Sequence, residues 1–84
     1  MSATEGSGSW GIDLLAHRAG LPVGTVRLYI RDGLVPAGRR VGRSMTYGIP
    51  QLNRLIRIRQ LKSANFTLTA IKRMIDEDAR HGHT

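Results

Sequence analysis

Residues 21–43 read LPVGTVRLYIRDGLVPAGRRVGR, a segment that begins as an amphipathic helix and ends as a run of arginines punctuated by glycine. Pro22 stands near the first position of the helical part and Gly33 just past its end, the asymmetry expected of a helix that starts on proline and stops on glycine. At about 100° per residue, Val23, Val26 and Ile30 fall on one face, which predicts their burial, and Gly24, Thr25, Leu28 and Arg31 fall on or near the other. After Gly33 the character changes. Pro36, Gly38 and Gly42 interrupt a stretch that carries Val41, Thr46 and Tyr47, which predicts a β-hairpin between Leu34 and Gly48. Gly42-Arg43 suits a two-residue type II′ turn, which wants glycine first, although a longer loop is equally allowed.

Working outward, Ile12, Leu15, Ala16 and Ala19 keep the i, i+3, i+4, i+7 rhythm of a short helix closed by Gly20. Two short helices joined by a turn containing glycine form a helix-turn-helix arrangement, in which the second helix is commonly offered to the DNA major groove. Beyond the hairpin a third helix starts at Pro50, with Leu52, Leu55, Ile56, Ile58 and Leu61 on its apolar arc and Asn53, Arg54, Arg57 and Gln60 on the other side. Arg59 falls inside that apolar arc, so its stem must snorkel, its guanidinium must find an ion pair, or it must reach a DNA phosphate. A fourth helix is predicted from Thr67, which can cap it, with Phe66 and Ile71 placed as a hydrophobic staple and Leu68, Ile71, Met74 and Ile75 as its apolar set. Residues 1–11 lack periodicity and read as a disordered lead from which Trp10 alone can dock; residues 12–76 form the domain; residues 77–84 read as a frayed tail. The expected fold is therefore mainly α, a winged helix-turn-helix of four helices with a small antiparallel wing between helices two and three.

Lys and Arg total 13 against 6 Asp and Glu, a formal net charge of +7 on 84 residues, and eleven of the thirteen cations are Arg. Arginine's planar fork suits phosphates and guanine edges, so this balance favours a polyanionic partner, with nucleic acid ahead of an anionic membrane surface. No run approaches the ~18 apolar residues of a spanning helix, and the N-terminus is neither basic nor apolar enough for a signal peptide. The absence of cysteine excludes disulfides and thiolate metal sites. A cytoplasmic protein without a cofactor is expected.

On the outer face of the second helix, Thr25 can hydrogen-bond a base or phosphate, Leu28 can touch a thymine methyl, and Arg31 can reach a phosphate or guanine. Gly24 costs about 1 kcal/mol relative to Ala inside a helix, and close backbone approach to another surface is a reason to keep it. Solvated charges would account for Arg27 and Arg31 equally well. The hairpin tips the balance, because Arg39, Arg40 and Arg43 crowd a segment too short to hide them and stand beside the helix-turn-helix. Other constellations carry little. His17, His81 and His83 lack the carboxylate or thiolate company of a metal site, and Asp76, Glu77 and Asp78 sit near a helix C-terminus as solvated surface rather than as an acid–base pair. No enzymatic chemistry is expected.

The runs IDLLAHRAGLPVGTVRLYIRDGLVP, RRVGRSMTY and QLNRLIRIRQLKSANFTLTAIKRMI resemble the N-terminal DNA-binding domain of MerR-family transcription regulators over about residues 12–75. The resemblance implies a recognition helix in the major groove, with the wing and the later helices on flanking backbone. Carried over by position, it assigns DNA contacts to Thr25, Arg27, Leu28 and Tyr29 in the recognition helix and to Arg39, Arg40, Arg43 and Tyr47 in and after the wing. It also implies double-stranded DNA as partner, self-association on repeated or inverted half-sites, and RNA polymerase at a promoter. Three departures stand out. Leu28 replaces the first of two adjacent aromatics, Ile30 replaces an acidic residue, and Ser44-Met45 replaces a Tyr-Arg pair, which transfers phosphate gripping to Arg43. Relatives continue into a dimerisation helix and an effector domain, so the chain is expected to be an isolated DNA-binding domain or a short regulator without an effector module. An architectural or excisionase-like DNA binder, or a module that binds an acidic protein, are the competing readings.

Overall fold

The computed structural model describes residues 9–81. Residues 1–8 of the expected lead, and residues 82–84 with His83, lie outside the described residues. The order of elements is α1 (Ile12–Ala19), α2 (Val23–Arg31), β1 (Arg39–Val41), β2 (Ser44–Thr46), α3 (Ile49–Ser63) and α4 (Leu68–His81), a winged helix-turn-helix with a two-stranded antiparallel wing. Its core gathers Leu15, Ala16 and Ala19 of α1, Val26 and Tyr29 of α2, Leu34 and Val35, Leu55 and Ile58 of α3, and Ile71 and Ile75 of α4. Trp10 and Tyr47 close it on the wing side.

Three helices end in the same way. After α1 the N–H of Leu21 reaches Ala16 O and that of Gly20 reaches His17 O; after α2 the N–H of Leu34 reaches Tyr29 O and that of Gly33 reaches Ile30 O. After α3 the N–H of Phe66 reaches Leu61 O and that of Asn65 reaches Lys62 O. These are Schellman turns, whose pivot must be left-handed: φ is 72° at Gly20, 80° at Gly33 and 71° at Asn65. Each turn also brings an apolar residue back toward the helix it leaves. Phe66, expected to staple α4, thus belongs to the exit of α3 and stays 41% exposed, while Ile71 is wholly buried. Thr67 does cap α4, its Oγ1 accepting from the Ala70 N–H at 3.1 Å.

The start of α3 is held by a residue that the apolar pattern does not single out. Gln51 is buried, and its Oε1 accepts from the Gly48 N–H at 2.8 Å. Its amide donates in the other direction to Ala37 O at 3.1 Å and Pro36 O at 3.4 Å. One side chain therefore caps α3 and ties down the segment leading into the wing.

Trp10 docks, as expected of it alone within the lead: its backbone pairs with Tyr47 in both directions, at 3.0 and 2.8 Å, and Arg18 lies over its ring at 4.6 Å. Three other expectations change. The buried face of α2 centres on Val26 and Tyr29, with Val23 and Ile30 packed only partly at its margins. Tyr29 stands three residues after Val26 and so on the same side of the helix, and it packs in the same core. On α3, Ile56 is half-buried without joining the core, and Arg54 turns inward. Finally, α4 continues through Asp76 to His81, where the loss of apolar rhythm predicts fraying. Extension of an existing helix gains a hydrogen bond per residue without needing apolar rhythm, and Asp78 is held by Arg57 of α3 at 3.0 Å.

Candidate nucleic-acid interface

The outer face of α2 is built from residues with little to hold them inside the fold. Gly24 is exposed, and a Cβ placed on it would meet nothing within 4 Å. No internal crowding accounts for the glycine. Arg27 is exposed, Leu28 is 36% exposed, and Thr25 is half-buried at the edge of the same surface. Arg31 extends into solvent with a long 3.7 Å contact to Asp32. A helix that presents glycine, a short hydroxyl, an apolar branch and two arginines on one side offers close backbone approach, a donor, a methyl-sized contact and cationic reach together.

The wing pairs Arg39 with Thr46, Arg40 with Met45 and Val41 with Ser44, leaving Gly42-Arg43 as the two-residue connection. Gly42 has φ of 63°, and Arg43 is not among the positive-φ residues, the combination expected of a type II′ turn. Because cross-strand partners share a face, Arg39, Val41, Ser44 and Thr46 lie on one side of the wing and Arg40 and Met45 on the other, with Arg43 at the tip. The three arginines do not form a single patch but ring the hairpin. All three are exposed, and none has an acidic partner among the described residues.

Tyr29 and Tyr47 stand differently. The family resemblance makes each a DNA contact, yet Tyr29 is only 6% and Tyr47 only 8% exposed. Both rings lie largely inside the fold: Tyr29 packs in the core, and the Tyr47 ring covers Gly38 while its backbone pairs with that of Trp10. A Cβ on Gly38 would lie 2.6 Å from Tyr47 Cε1 and 2.7 Å from Thr46 O, so this glycine is required by contact. Among the described residues no buried side-chain oxygen or nitrogen lacks a partner, so neither hydroxyl is sealed in without one. Only that polar edge is left to offer a phosphate.

The fold brings the outer face of α2 and the wing into one framework, but through residues that the sequence pattern does not mark. Gln51 had a detectable signal, a glutamine three positions into a helix after its cap. Gly38, Arg54 and Lys72 had none, because their partners are distant in sequence. Among the described residues no group of three His, Cys, Asp or Glu side chains is placed to hold a metal ion. No helix among them is long and apolar enough to cross a membrane.

Comparison with known proteins agrees with this geometry. Residues 12–78 match the family model of MerR HTH family regulatory proteins. Among solved structures, the chain is similar to the transcription regulator PbrR691 from Ralstonia metallidurans CH34, determined in complex with lead(II). The two share 33% sequence identity and superpose with a TM-score of 0.77 over 82% of this chain and 55% of that one. The chain thus spans about half the length of that relative. No curated protein gives a significant match.

Proposed function

The chain belongs to the MerR HTH family of regulatory proteins, and from that premise we propose that it binds double-stranded DNA sequence-specifically and regulates transcription. In this reading α2 enters the major groove, Thr25 and Leu28 touch base edges, and Arg27 and Arg31 fix its orientation on phosphates. Gly24 lets the backbone approach the duplex. The wing places Arg39, Arg40 and Arg43 on flanking backbone or in the adjacent minor groove. Copies assemble on repeated or inverted half-sites and distort promoter DNA so that RNA polymerase can or cannot engage it.

The observation that carries the reading is the coexistence, on one small fold, of an α2 face without internal obligations and a wing ringed by arginines that have no acidic partner among the described residues. The test is a binding selection over randomised duplexes with a salt titration of the selected and random pools. Sequence-specific recognition predicts a selected site preferred by at least ~10³-fold over random duplex at physiological salt. Thr25→Ala and Leu28→Ala should each relax preference at one or two base pairs, by about 1–3 kcal/mol, while keeping most non-specific affinity. A small specificity ratio would instead indicate an architectural, excisionase-like binder. Equal binding to another polyanion would indicate an interaction module for acidic partners.

A further inference from the structure

Three cationic side chains of α3 and α4, with Arg54 half-buried and Arg59 and Lys72 exposed, donate to main-chain oxygens in and just after the helix-turn-helix. Arg59 Nη1 donates to Ala19 O at 3.4 Å, Arg54 Nη1 to Leu34 O at 3.0 Å, and Lys72 Nζ to Asp32 O at 3.3 Å. Ala19 O and Asp32 O lie at the C-terminal ends of α1 and α2, where carbonyls have no intrahelical donor and the helix dipole is negative, and Leu34 O follows in the turn beyond α2. The guanidinium of Arg59 also lies over Gly20, its Nη1 3.1 Å from where a Cβ would be.

The backbone packing explains why these contacts matter. Helix α1 packs closely on both α2 and α3, and α3 packs on α4, whereas α2 makes few close backbone approaches to α3 or α4. The recognition helix joins the second half of the molecule through the shared apolar core, to which it contributes Val26 and Tyr29 and the following Leu34 and Val35, and through the bonds from Arg54 and Lys72. Apolar contacts are non-directional; hydrogen bonds to fixed carbonyls restrict how far α2 can slide or roll. A reading surface must be held within about 0.5 Å and 10–20° to be specific.

We propose that Arg54, Lys72 and Arg59 form a cationic clip that sets the pose of the helix-turn-helix on α3 and α4, making them positioning residues for base reading and not phosphate contacts. The inference rests on the DNA-binding reading above. The cations then divide into two groups, with those of α2 and the wing facing outward to the duplex while these three hold the reader in place.

The test begins on the free protein. In Lys72→Met, the carbonyl ¹³C resonance of Asp32 should shift in an HNCO spectrum while the resonances of Leu55 and Ile58 stay; Arg54→Met should shift that of Leu34. On DNA, Lys72→Met should bind a duplex selected by the parent chain about tenfold more weakly, a loss comparable with one mismatched base pair. It should bind random duplex of equal length as the parent does, with the same dependence on salt, and Lys72→Arg should restore the preference. Lys72 is exposed, so this variant keeps the test open even if Arg54→Met fails to fold. A log-affinity against log-salt slope flattened by about 0.9 would make Lys72 a phosphate contact and overturn the clip. Retention of the full sequence preference by Lys72→Met would overturn it as well. A parent chain that selects no site would remove the DNA reading itself, and the clip with it.

Discussion

Gly24 and Gly38 are both glycines in a small basic domain, and the fold gives them opposite meanings. Gly38 is crowded by the Tyr47 ring and the Thr46 carbonyl, so its replacement by Ala must push the wing base apart. Overpacking of this kind costs roughly 1–3 kcal/mol, and at this chain length each kcal/mol lowers Tm by about 4–8 °C. Thermal melting of Gly38→Ala should show that loss. Gly24 meets nothing, and inside α2 it forgoes the helix propensity of Ala, up to about 1 kcal/mol. Gly24→Ala should therefore raise Tm by a few degrees and at the same time weaken binding to the selected duplex, because the added methyl stands where the backbone meets DNA. A stabilised variant with undiminished affinity would remove Gly24 from the interface. The opposed signs of stability and binding separate a surface kept for a partner from one kept for the fold.

At the scale of elements, the wing is the part whose contribution is most easily isolated. Its strands are three residues each and largely exposed, and its support comes from outside them: Gln51 on the segment before β1, Gly38 under Tyr47, and the Trp10–Tyr47 backbone pair. The arginines can thus be changed without touching the core. Replacing Arg39, Arg40 and Arg43 by Ala should weaken binding to all duplexes similarly, and should flatten the log-affinity against log-salt slope by about 0.9 for each phosphate that is no longer neutralised. Since the three lie on different sides of the hairpin, single variants should not contribute equally. An unchanged slope in the triple variant would show that the wing does not engage phosphates.

For the whole molecule, the distribution of apolar surface bears on assembly. The buried set is continuous across α1 to α4, while the larger exposed apolar residues, Leu14, Leu28, Val41, Met45, Ile49 and Phe66, are spread over five elements and one turn. The outer side of α4 beyond Ile75 is polar and charged, with no apolar seam of the kind that zips helices together. Combined with a net charge of +7, which repels like copies, this predicts that the 84-residue chain is monomeric in free solution and gathers only on DNA, where phosphates neutralise the repulsion. Sedimentation at micromolar concentration should show a monomer alone and multiples on a duplex carrying the selected site. A tight dimer without DNA would place an interface on surface that the single chain leaves exposed.

What the amino-acid order determines by itself is the local part of this design. Helical periodicity, the left-handed turns at Gly20 and Gly33, the Thr67 cap and the Gly42-Arg43 hairpin all depend on residues within a few positions of one another, and each is legible in the chain. So is the outward set on α2 and the wing, because a short segment cannot bury three arginines. The tertiary structure decided the rest. Tyr29 and Tyr47 look equally suited to a phosphate or to a core, and only packing places their rings inside. Arg54 looks like a solvated helix charge and Arg59 like a misplaced one until the carbonyls of Leu34 and Ala19, 20 and 40 residues away in sequence, come within hydrogen-bond distance. Lys72 meets Asp32 across the same 40-residue separation. A cation's partner is set by which main-chain carbonyl the fold delivers to it, and that delivery is a property of the assembled core, not of any stretch of sequence.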